Sequence, residues 1–483
     1  MRKRFLLTTQ GPAKRAFTNG LVGISILVVL CVFLARPAWH IESLAENKDP
    51  AVSEKTNSDD LYRYMGASSC SGSDCHGNST ARNKFRIGQN EFYIWLQKDK
   101  HAKAYEVLTN ADAKIIARNL KIAKPEESER CLVCHAVPVS PDRQGTFYDI
   151  TDSVSCEACH GPAEKWLAPH IRPGFDPQKA TSLGMYNMKD FAKRAEKCLE
   201  CHAGAEGKEV THELIGAGHP RLTFEIDTYT YVMPPHWRPP QEKKDREWLS
   251  ARVWAIGQAE AFRNRIKRLA ESRHAGVGRW PDFTHFDCFA CHHAVVDRLR
   301  GITEKDKSQQ IWRRRDYEGK PGRLVWNSSS YTVFRHVVNL AASEEGKHLE
   351  QLMRTFHEGL TGKEISHESF NAAVSRLFAL SDKLVSQVAQ YTFTQQSVLS
   401  LMKNISGDRR RLTTSGFLVA EQAVLALASL YDAYLETAGA MPESKTIKDT
   451  IDSLYKEIQS GRAFNPTEFE ATMNKLHGLL SKT

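Results

Sequence analysis

The chain has 483 residues, 11 cysteines, 19 histidines and a formal charge of +9, long enough for two or three domains with their own cores. The charge invites a nucleic-acid reading, which its distribution excludes. Arg2, Lys3, Arg4, Lys14 and Arg15 all precede an apolar stretch, and neither an arginine-rich recognition helix nor an aromatic-plus-basic sheet pattern follows. Kinase, nucleotide-binding and hydrolase motifs are also missing from the sequence.

Between Arg15 and Arg36 lie twenty uncharged residues, with the dense apolar run at Leu21–Ala35. That length spans a bilayer as a helix, and the basic residues ahead of it should stay cytoplasmic. A transmembrane anchor is expected over residues 1–40. The alternative is a cleaved signal peptide, although Phe33 and Arg36 stand where small residues are wanted. Cys31 reads as an ordinary residue of this segment. Either way the bulk of the chain is expected in the periplasm, held at the bacterial inner membrane or released from it. Residues 41–61 are polar with mixed charges and read as a flexible linker.

Ten cysteines of the remaining chain form five pairs, each followed at once by histidine. Four are close: Cys131-x-x-Cys134-His135, Cys156-x-x-Cys159-His160, Cys198-x-x-Cys201-His202 and Cys288-x-x-Cys291-His292. The first is wider, Cys70-x4-Cys75-His76. C-x-x-C-H is the attachment signature of c-type haem: two thiols bond the vinyl groups, and the adjacent histidine ligates the iron. Disulfides would explain the pairs but not the histidines, and zinc sites would couple two pairs while leaving the histidines unexplained. Five covalent haems are expected. Their propionates would bring the charge to about −1.

Residues 62–300 hold all five motifs and lack alternating strand patterns. Short helices and long loops wrapped around porphyrin are expected. Helical spacing is visible over 89–106 and, most clearly, over 246–272. Pro234-Pro235-His236-Trp237-Arg238-Pro239-Pro240 is an extended connector. Residues 301–483 have no cysteine and read as a helical bundle, with helices near 330–345, 346–361, 366–391, 411–437, 444–459 and 466–481. The fourth is apolar almost all round and is expected at the centre. The fold class is therefore mainly α: a haem domain, a C-terminal bundle and an N-terminal transmembrane helix.

The second ligand of each iron decides what the protein does. Two histidines make a low-spin carrier, whereas an open position admits a small molecule. The distal candidates are His101 on the 89–106 helix, His170 on a loop ended by Pro173, His219 in Gly216-Ala217-Gly218-His219-Pro220, and His285 just before Cys288. His212, His236, His274 and His293 read as surface or propionate-bonding residues. His336, His348, His357, His367 and His477 read as solvated helix residues.

Tyr64-Met65-Gly66-Ala67, His101-Ala102, Cys156-Glu157-Ala158-Cys159-His160-Gly161-Pro162 and Gly218-His219-Pro220 together resemble the cytochrome c-554 family. These are tetrahaem periplasmic carriers related in haem arrangement to hydroxylamine oxidoreductase and pentahaem nitrite reductase. The resemblance spans residues 62–300. It implies closely stacked haem pairs, mostly bis-histidine, with His101, His170 and His219 in distal positions. The fifth motif, the widened first motif, the anchor and the helical domain depart from it.

Single-electron transfer between extracytoplasmic redox partners, either a quinol-linked complex or other cytochromes, is the expected function. The helical domain is a candidate for oligomer contacts. The alternative is a haem enzyme oxidising or reducing a small nitrogen compound at a five-coordinate iron. Pentahaem nitrite reductases typically carry lysine in the catalytic motif, whereas every motif here ends in histidine.

Overall fold

The computed structural model describes residues 62–82, 87–240, 242–274, 282–288, 325–361, 367–459 and 464–483. The expected anchor, the linker, Cys291, His292 and His293 lie outside the described residues, as does the His274 side chain. The described residues are mainly helical, and their only β-pairing is in isolated bridges, Tyr64–Gln144 and Phe286–Trp326.

The haem-motif region is built from short helices separated by turns. In chain order they are α1 (Glu91–Lys98), α2 (Ala111–Leu120), α3 (Glu129–His135), α4 (Cys156–His160), α5 (Pro177–Ser182), α6 (Phe191–His202), α7 (His212–Ala217) and α8 (Ile226–Val232). Few apolar side chains in it are buried, and its local clusters are as small as Leu108, Leu132 and Ala136. Side chains alone make only small cores there.

The large core begins with the long helix α9 (Leu249–His274). Trp254, Phe262, Ile266 and Leu269 on it are sealed from solvent and join one cluster running to Leu480. This helix packs against α6, which ends in a motif histidine, and against α10 (His367–Gln390) and α11 (Phe417–Ala438) of the C-terminal region. It is thus shared by the two regions and joins them.

Helix α11 is the central one, as its all-round apolar pattern predicts. It starts after Gly416, whereas the expected span of 411–437 is divided there, and Arg409–Thr414 forms a separate short helix. It is the one described helix long and apolar enough to cross a membrane, but 89% of its apolar window is buried inside the protein. Helix Gln395–Gly407 was not anticipated. Its signal was a capping box, in which the Thr394 side chain accepts from the Ser397 amide and the Ser397 side chain receives the Thr394 amide. The expectation of solvated histidines fails at two positions. His336 is buried with Nε2 3.2 Å from Asp408 Oδ2, and His357 is buried edge-on to Trp326 and Phe356. Both sit where their helices turn inward.

Candidate haem-binding site

Three close motifs occupy the ends of helices. α3, α4 and α6 each terminate at the motif histidine, His135, His160 and His202. Cysteines three apart share one helix face, and the histidine follows beside them, so one helical turn presents all three groups. The wide motif reaches the same end differently. The chain turns at Gly72, the Cys75 amide donates to the Gly72 carbonyl at 2.9 Å, and the His76 amide donates to the Cys70 carbonyl at 3.2 Å. That last bond matches the amide-to-carbonyl closure of an α-helical turn, so the two added residues loop out. Gly77 permits the turn, since a Cβ there would lie 1.8 Å from the Ser71 carbonyl oxygen.

The motifs converge in space. The Cys70 and Cys156 thiols are close enough to couple electrostatically, as are Cys134 and Cys201. Cys159 lies within electrostatic reach of Cys198 and Cys201, and burial pushes its thiol up to about 12. The first motif therefore borders the third, the third the fourth, and the fourth the second. Cys288 is half-buried, near Arg221 and Arg265.

Three distal candidates face motif histidines. His170 lies opposite His76 with ring centres 6.2 Å apart, His219 opposite His135 at 6.4 Å, and His101 opposite His202 at 6.0 Å. Two imidazoles ligating one metal from opposite sides have centres about 6 Å apart. Separations of this size also occur in ring packing, and they fit an iron between the rings.

The other ring nitrogen is tied in most of these residues, which leaves Nε2 for metal. His135 Nδ1 donates to the Ala104 carbonyl at 2.8 Å, His170 Nδ1 to Leu167 at 2.5 Å and His219 Nδ1 to Pro220 at 2.7 Å. His76 and His101 instead face carboxylates, Glu91 at 2.9 Å and Asp99 at 3.0 Å. Burial opposes ionisation of both acids, but the imidazole and amide contacts prevail and hold them below the usual range. Burial pushes His160 and His202 down to about 4, so both are neutral, as a ligand must be.

Helix 89–106 divides at Asp99. Its side chain accepts the His101 amide at 3.0 Å, and this local bond competes with continuing the helix. The same residue thus stops the helix and aims the imidazole. Neither Asp99 nor Glu91 was singled out from sequence. A carboxylate two residues before a candidate ligand was the available signal.

His285 is buried, and burial together with Arg265 and Arg268 pushes it down to about 2. His212 packs on Phe283 with ring centres 5.4 Å apart. His160 is in ring contact with none of the distal candidates among the described residues. The charge it feels most is that of His236, a residue the sequence reading placed at the surface.

Glu157, inside the third motif, is a fully buried carboxylate. It accepts the amides of Met65 and Gly66 at 2.8 Å each and of Ala163 at 2.7 Å. Burial raises its pKa, opposed by these three donors. It ties the third motif to the chain before the first. Glu157→Ala strands three donors and is expected to cost about 3 kcal/mol or more, read as a lower denaturant midpoint at unchanged slope.

Paired imidazoles at this spacing beside cysteine pairs fit a haem-binding protein of the c-type cytochrome class. Residues 69–161, which contain the first three motifs, match the family model described as cytochrome c554 and c-prime, and the chain resembles that family. No curated protein and no solved structure matches it.

Proposed function

We propose that the chain is a pentahaem electron carrier. Haem c is bound covalently at Cys70/Cys75, Cys131/Cys134, Cys156/Cys159, Cys198/Cys201 and Cys288/Cys291, with His76, His135, His160, His202 and His292 as proximal ligands. The observation that carries this is the trio of imidazole pairs at 6.0–6.4 Å. Thiol proximity supports a path running from the first haem to the third, fourth and second, with the fifth beside Arg265. Single electrons pass along it. The chain supplies ligands, spacing and a buried environment that sets each potential. The domain works in the periplasm, held at the membrane by the apolar segment Leu21–Ala35, and exchanges electrons with redox partners, a quinol-linked complex or other cytochromes.

One observation favours a second reading. Among the described residues no imidazole faces His160 in ring contact, and an open iron there would admit a small nitrogen compound. His236 as its distal ligand is the alternative. One experiment addresses both. Haem content and reductive titration of the full chain should give five haems and five electrons per chain. The oxidised protein should show only low-spin iron, unchanged by nitrite or hydroxylamine. Fewer haems would sink the count, and a high-spin signal that responds to either compound would replace carrier with enzyme.

A further inference from the structure

Three arginines on α9 differ in how they are satisfied. Arg263 meets Asp382 at 2.5 Å and Glu196 and Glu260 at 3.1 Å each. Arg265 and Arg268 meet no carboxylate among the described residues. They donate to main-chain carbonyls, Arg265 Nη2 to Thr284 at 2.8 Å and Arg268 Nη1 to Ala203 at 2.6 Å. The Nε of each is buried without an acceptor. Arg268 is only 9% exposed. It lies against Gly204, whose φ of +99° and lack of a side chain admit the guanidinium, since a Cβ there would sit 3.0 Å from its central carbon.

Burial, together with the charge of Arg268, pushes Arg265 down to about 9. Asp282 lies within electrostatic reach of both cations, and Glu209 and Glu271 of Arg268, but no hydrogen bond joins them among the described residues. Buried guanidinium Nε atoms without an acceptor still favour a further anion at the site. Its place is marked by the two carbonyls. Ala203 directly follows His202 of the fourth motif, and Thr284 lies four residues before Cys288 of the fifth. Nearby Arg221 is already taken by Glu421, at 2.7 and 2.9 Å.

We propose that Arg265 and Arg268 bind a propionate carboxylate of the haem at the fourth or fifth motif and raise that haem's reduction potential. This rests on the haem reading above. A guanidinium fork matches a carboxylate, and fixed positive charge in a low-dielectric site favours the added electron of ferrous iron.

The test is spectroelectrochemical titration of the full haem-loaded chain. Arg265→Met and Arg268→Met should each lower the reduction equilibrium constant of one haem at least tenfold, about 59 mV for one electron. Arg265→Lys should recover part of the loss. Removing both Cys288 and Cys291 tells the sources apart: the Arg265→Met effect vanishes if the fifth haem supplies the carboxylate and persists if the fourth does. Unchanged potentials in both methionine variants would overturn the proposal. So would a wild-type potential that shifts equally on adding sulfate, which would mean a free anion. If the methionine variants do not fold, the redox infrared difference spectrum with 13C-labelled propionates decides, by a carboxylate band that moves, or fails to move, in Arg265→Lys. Haem content of the same samples separates the two readings. Full haem with unchanged potentials sinks this proposal alone, and missing haem sinks the reading beneath it.

Discussion

Replacing His219 with alanine in the haem-loaded protein is expected to turn one haem equivalent from low-spin to high-spin, with the helical content retained. His101→Ala and His170→Ala should each do the same to a different haem. The reason is geometric. Each imidazole stands 6.0–6.4 Å, centre to centre, from a motif histidine, at the separation of two ligands on one iron. Alanine leaves that iron five-coordinate, and added imidazole should restore the low-spin state by filling the gap. His212→Ala is the control, because His212 packs on Phe283 and should leave the spectrum alone. Electron paramagnetic resonance measures all four. A wholly low-spin spectrum in the His219 variant would dissolve its pairing with His135.

Glu91→Gln should raise the midpoint potential of one haem by about 60 mV, a tenfold change in its reduction equilibrium. Asp99→Asn should raise that of another by a similar amount. A carboxylate on Nδ1 makes the imidazole a stronger donor and favours ferric iron. In Asp99→Asn one oxygen can keep both His101 contacts, which use the same carboxylate oxygen, so that variant removes the charge alone. Glu91 accepts from the Gly88 amide at 2.7 Å and meets His76 at 2.9 Å through separate oxygens, so Glu91→Gln removes the charge and one of these two bonds. His135 and His219 contact only carbonyls through Nδ1. Their haem is expected to be the highest in potential of these three, with electrons running toward it from the carboxylate-tied pair. Potentials unmoved in both variants would remove the carboxylates from the tuning of the chain.

The cysteine–histidine motifs were legible because their spacing is local. Cys131, Cys134 and His135 fall within one helical turn, so their order in the chain already sets their mutual geometry. The same holds for helix 417–438, whose apolar residues on every side require burial whatever surrounds it. His101, His170 and His219 were singled out in the sequence by residue type, neighbouring turns and family resemblance, and each faces a motif histidine in the structure.

What escaped was set by contacts distant in sequence. Glu157 is one acidic residue among many until the Met65 and Gly66 amides, ninety positions away, arrive at its oxygens. Helix 249–274 reads as part of the haem region by position, yet it packs as much on the bundle. Arg263, Arg265 and Arg268 look alike in the chain, and only packing decides which of them meets a carboxylate.

By itself, the sequence carried the signature that points to haem c, because spacing along one turn is enough to bring two thiols and an imidazole together. Only the tertiary structure decided which imidazole faces which motif. His76 and His170 are joined by turns and short helices whose directions no local rule determines, and the packing of the whole region sets the 6.2 Å between them.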